Sequence, residues 1–119
     1  MAVNDSKRFR LSASAIRPLA EGRGSGIASD HITVDGMLVG FMYREAPDNS
    51  HDSGWRFLSG TESREYMDRS ENFAMYDVNT IANYDPAIIK HLDAPIGSAY
   101  GRNERDEFAP EDMPDIPDA

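Results

Sequence analysis

Met37 to Glu45 reads MLVGFMYRE, and no other stretch limits the fold so tightly. Its β-branched and aromatic residues favour extended backbone, and strict alternation places Val39, Phe41 and Tyr43 on one face. The turn-rich loop APDNSHDSG follows, and then WRFLS, in which Trp55 and Phe57 share a face. The pattern predicts two antiparallel strands joined by a long polar loop. Aromatic residues on neighbouring strands usually pack against one another, so Trp55, Phe57, Phe41 and Tyr43 read as core in preference to an exposed stacking platform. Ile27 to Ile32 supplies a short preceding strand, NFAMYD another that ends at Asp77, and APIGSAYGR a turn with an edge strand.

Helix signals are short and local. Asp77 is placed to cap VNTIANY, its carboxylate accepting from early backbone N–H groups. Asp85 repeats the arrangement before Pro86, which suits a first helical position ahead of AIIKHL. Ser59 and Glu62 stand in capping-box spacing for a helix over residues 61–67. A run of strands with scattered short helices predicts an α+β fold: a small single domain with a mainly antiparallel sheet.

The flanks differ in composition. Residues 1–25 hold the glycine-rich joint AEGRGSG and carry five Lys/Arg against two Asp/Glu; they are expected to be a flexible N-terminal segment. Residues 103–119 hold seven carboxylates and three prolines against one basic residue, the composition of a disordered acidic tail. The folded unit is therefore expected over residues 26–102, where twelve Asp/Glu face six Lys/Arg. The whole chain has a net charge of −9. Such a field repels phosphate backbones and anionic lipid and attracts basic partners, so nucleic acid and membrane surfaces are not expected ligands. The absence of cysteine and of a long apolar run suits a cytoplasmic setting.

Residues with chemical potential do not converge on a reaction. Glu62, Glu65 and Asp68 are spaced by three on the expected helix, but nothing nearby supplies the contrasting environments that an acid–base pair needs. They read as a solvated or partner-facing surface, together with Asp48 and Asp52 of the loop. DVNTIANYD fails as a calcium loop, because Ile81, Ala82 and Ile88 occupy its fifth, sixth and twelfth places. His31, His51 and His91 lack metal-ligand spacing. No serine sits in a nucleophile elbow, and the glycines at 22, 24 and 26 make no dinucleotide fingerprint. No catalytic, cofactor or metal residue is expected.

Taken together, Tyr43-Arg44, Gly54-Trp55-Arg56-Phe57 with Ser59 and Gly60, Glu65-Tyr66-Met67-Asp68, and Asp77-Val78-Asn79-Thr80-Ile81 form a pattern that resembles immunity protein family thirty-three. That bacterial family is associated with polymorphic toxin systems. The resemblance covers residues 26–102. It departs at MDRSEN, Met67 to Asn72, where relatives have a turn closer to MDNPDN. It implies a small non-enzymatic protein that neutralises a toxin by binding it, with Tyr43, Arg44, Gly54, Trp55, Arg56, Phe57, Asp77 and Asn79 as mainly structural motif residues. The toxin is expected to be basic and to meet the carboxylates Asp48, Asp52, Glu62, Glu65 and Asp68. An orphan ligand-binding or housekeeping module without a toxin partner is the alternative reading.

Overall fold

The structure, a computed structural model, describes residues 7–114. Among them, six strands build one sheet: β1 (Ser25–Ser29), β2 (Phe41–Arg44), β3 (Asp52–Leu58), β4 (Phe73–Asp77), β5 (Ala99–Arg102) and β6 (Phe108–Pro110). Their order is β4-β1-β3-β2-β5-β6, and every pairing is antiparallel except β1 with β3. Short helices α1 (Asp30–Thr33), α2 (Arg64–Met67) and α3 (Val78–Tyr84) connect them, with 3-10 turns at Ala13–Ala15, Ser70–Asn72 and Pro86–His91. The expected α+β class is the observed one.

Strand β3 is the central organiser because its alternation serves both faces of the sheet. Trp55 and Phe57 are fully buried, packed with Ala28, Met42, Ile32, Val78, Ile81 and Ile88 beneath the helices. Burying a large apolar side chain stabilises by about 1.5–3 kcal/mol, so this layer supplies most of the driving force. Trp55 also donates its indole N–H to the Leu92 carbonyl at 3.1 Å, which removes the cost of burying a polar atom. Arg56, between the two aromatics, projects to the opposite face.

The β2–β3 pair forms as expected, with Met42 opposite Phe57 and Tyr43 opposite Arg56. The expected face of Val39, Phe41 and Tyr43 is corrected, however: Val39 and Met42 are fully buried, while Phe41 is only half-buried. Alternation breaks at Gly40, whose backbone lies against Ser59; a Cβ there would sit 2.0 Å from the Ser59 carbonyl oxygen. The chain thus enters β2 out of phase with Val39. A second irregularity lies in β3, where the register against β1 jumps from Asp52 to Arg56 while β1 advances from Ser25 to Ile27. Gly54, at φ +90°, absorbs that bulge under the Glu45 carbonyl.

Asp77 caps α3 by accepting from the Asn79 N–H, and Asp85 caps the 3-10 turn at Pro86 by accepting from the Ala87 N–H. The expected helix over residues 61–67 shrinks to the single turn of α2. Glu62 accepts from the Ser59 and Gly60 N–H groups and closes a turn, while Ser63 caps the helix proper through the Tyr66 N–H.

Neither flank follows the expected boundary. In the N-terminal segment, Asn79 accepts from the Leu19 and Ala20 N–H groups and donates to the Arg17 carbonyl. Further on, Arg10 donates its N–H to Thr33, and Phe9 meets Tyr76 edge-on. Backbone capture by a buried amide fixes a segment whose own apolar content is low. Past residue 102, β6 adds to β5, and the Arg102 guanidinium lies 4.5 Å from the Phe108 ring centre. Phe108 also contacts His91 edge-on. One aromatic and one short strand offset the polar composition there. Residues 1–6 and 115–119 of the two expected flanks lie outside the described residues.

Candidate functional site

Helices α1 and α3 and the 3-10 turn at Pro86–His91 cover one face of the sheet. A row of side chains crosses the other: Met75 on β4, Ile27 on β1, Arg56 on β3, Tyr43 on β2 and Ala99 on β5, each opposite the next in register. Met75 is 49% exposed at one end of this row. The crossover from β3 to β4 brings Met67 of α2 over the same face. Ile27, Tyr43, Leu58, Met67 and Phe73 line a hollow of about 200 Å³, with Glu45 and Arg56 at its wall. This face, exposed at Met75 and Met67 and buried at Arg56, Tyr43 and Ala99, is the candidate functional site.

Arg56 stands at its centre, yet its guanidinium is almost wholly occupied. Its two terminal nitrogens donate to the two Asp52 carboxylate oxygens at 2.9 Å each, a bidentate fork. Its Nε donates to Glu45 at 2.6 Å, and one terminal nitrogen also reaches the Trp55 carbonyl. Asp48 lies 3.8 Å away. The Asp52 carboxylate, fully buried, also accepts from the Asp48 and Gly54 N–H groups. Its hydrogen bonds to Arg56 hold the carboxyl well below the usual carboxylate range; burial opposes this and the two backbone donors reinforce it.

Three carboxylates surround one guanidinium, which leaves a local surplus of negative charge. It resides on Glu45 and Asp48, whose side chains are 44% and 75% exposed. Tyr43 is 6% exposed, and its hydroxyl has no hydrogen-bond partner among the described residues. Burial, helped by the Glu45 charge and opposed by Arg56, pushes its pKa up to about 12, so the group stays a neutral phenol.

The carboxylates expected to form one partner-facing cluster do not all meet. Asp48 and Asp52 converge on Arg56, but Asp52 is spent internally and offers nothing to a partner. Glu62 is tied into the Ser59–Gly60 turn: burial pushes its carboxyl up, but the backbone donors of that turn and the Ser59 hydroxyl outweigh burial and hold it low. Glu65 and Asp68 are exposed. With α2 restricted to Arg64–Met67, Glu62 precedes the helix and Asp68 caps its end, so the three do not share a helix face.

The residues that sequence reading omitted are Glu45, Ile27, Leu58, Met67, Phe73 and Met75. A signal for Glu45 existed: it lies two residues beyond Tyr43, on the same side of an extended strand. Other motif residues have structural work. Arg44 donates to the Ser53 and Ala94 carbonyls and lies over Trp55 on the covered face. Of the histidines, His31 stacks on Tyr66 and pairs with Asp35, His51 is exposed, and His91 packs against Tyr100. Among the described residues no group of three His, Cys, Asp or Glu is arranged to hold a metal.

Sheet, hollow and acid rim together define a class: a small α+β domain that leaves one sheet face available for contact. The chain belongs to the immunity protein family: a family model described as Immunity protein Imm33 domain matches residues 26–111. The match includes β6, beyond the boundary expected from the motifs. Comparison with curated proteins and comparison with solved structures each return no match.

Proposed function

We propose that this protein neutralises a protein toxin by binding it directly, without catalysis, through the open face of its sheet. Family membership supports an immunity role, and the observation that carries the binding mode is the pair of exposed methionines, Met75 and Met67, on the same sheet face as the hollow and its acid rim. Exposed apolar surface rimmed by polar groups marks a protein contact. The hollow, at about 200 Å³, is smaller than the ~300–1,000 Å³ of typical small-molecule sites, which favours a protein over a metabolite. With a net charge of −9, the protein is suited to a basic toxin met in the cytoplasm, approached quickly and in a salt-dependent way.

The test uses the toxin domain whose reading frame adjoins this gene. Co-expression should protect cells, and the two proteins should elute as one complex. Met75→Arg with Met67→Arg should abolish both, whereas Lys90→Glu on the helix-covered side should change neither. Protection that persists without a complex, or a complex indifferent to the Met75 and Met67 changes, overturns the proposal.

A further inference from the structure

Resting on that reading of the open face, we propose that the hollow beside Tyr43 receives one long cationic side chain of the partner, a lysine or arginine. The lining sorts into two parts that match such a side chain. Ile27, Leu58, Met67 and Phe73 offer an apolar floor for a methylene stem, and Glu45 and the Tyr43 hydroxyl offer oxygen acceptors for its head, with the exposed Asp48 carboxylate nearby beside Arg56.

An anionic group is not accommodated, although an arginine sits at the centre. Arg56 already spends four of its five N–H donors on Asp52, Glu45 and the Trp55 carbonyl, turns the fifth toward Asp48 and is 4% exposed, so it has little surface to give an anion. The unspent capacity is all acceptor. One Glu45 oxygen takes the Arg56 Nε and the other has no partner among the described residues. The Tyr43 hydroxyl, which has no protein partner among the described residues and is open to solvent, is a second acceptor in the same wall. Both acceptors are hydrated in the free protein, and a partner that covers the hollow must replace that water with a donor.

The Arg56–Asp52 fork also prepares the site. It holds the guanidinium down against the sheet and leaves Glu45 turned toward the hollow. A neutral apolar side chain would fill the floor but leave Tyr43 and Glu45 desolvated and unpaired. Discrimination against it is therefore built into the wall.

The experiment titrates the isotope-labelled protein alone, by NMR, with N-acetyl-lysinamide and, in parallel, with N-acetyl-norleucinamide, which keeps an aliphatic chain and lacks the charge. The lysine probe should give saturable shifts confined to residues around Tyr43, Glu45, Ile27 and Phe73. The norleucine probe should bind at least about fivefold more weakly, the loss of a cation beside one half-exposed and one exposed carboxylate. Glu45→Gln with Asp48→Asn should bring the lysine probe down to the norleucine level, in a variant whose spectrum otherwise overlays the parent. Shifts scattered over the acidic surface, equal binding of both probes, or full binding by the double variant overturns the inference. A toxin complex that forms through the open face while the lysine probe does not bind refutes the cationic hollow alone. Site-confined probe binding without a toxin complex refutes the toxin reading alone.

Discussion

Replacing Asp52 with alanine should destabilise this protein more than its position at the end of a loop implies. The carboxylate accepts four hydrogen bonds at 2.9 Å, two from Arg56 and one each from the Gly54 and Asp48 backbones. Its removal leaves a guanidinium that is buried and held mainly by Glu45, and it strips a buried N–H at Gly54. Breaking a buried ion pair by deleting one partner costs about 3–5 kcal/mol. For a chain of this size each kcal/mol lowers the melting temperature by about 4 °C, so the midpoint should fall by about 12–20 °C. Circular dichroism melts and urea titrations of parent and variant give the two readings. Arg56→Met should cost a comparable amount, because it leaves Asp52 charged and buried. The double variant Asp52→Leu with Arg56→Met should lie well above the sum of the single losses, with a coupling of at least about 2 kcal/mol. A single Asp52→Ala variant that melts within about 3 °C of the parent, or single losses that simply add, would refute the claim that the fork is buried and mutually dependent.

Trp55→Ala should cost about 3–5 kcal/mol by opening a cavity beneath the helices, and a parental urea midpoint would place the indole outside the core. Stability should rise with pH across the acid limb: Asp52 and Glu62 have lowered folded-state values, so the unfolded chain binds protons more readily. Their contribution is present above about pH 4 and is lost as pH falls toward those lowered values, so Asp52→Asn should flatten the acid limb of a denaturation series. Truncation after Arg102 should lower the melting midpoint by more than about 5 °C, because it removes β6 and the Phe108 contacts with Arg102 and His91; an unchanged midpoint would show that β6 contributes nothing.

The sheet and its central pair were legible because β2 and β3 alternate cleanly over Tyr43–Arg44 and Trp55–Phe57, and the caps at Asp77 and Asp85 follow from side chains acting on their own backbone neighbours. What escaped reading depends on contacts distant in sequence. Asn79 looks like an ordinary helix residue until the backbone of residues 17–20, some sixty positions earlier, lies against it. Phe108 sits in a segment whose carboxylates argue for disorder, and only Arg102 and His91 show what it packs on. The acidic cluster was read as one surface because charge is visible in sequence, whereas the spending of Asp52 on Arg56 is not. Met67 stood in a motif block and Phe73 and Met75 in an expected strand, but nothing marked them as surface: an exposed apolar residue looks like a buried one until its covering layer is known.

The alternation of Trp55, Arg56 and Phe57 along one strand has a consequence for how such a protein diversifies. A one-residue slip would drive the guanidinium under the helices and both aromatics into water, so the middle of the open face is locked to the same register that builds the interior. On the proposed function, adaptation to a new toxin is thereby channelled to the perimeter. Asp48, Met67 and Met75, all exposed, can each change without disturbing the interior, and a new specificity can be written there one residue at a time.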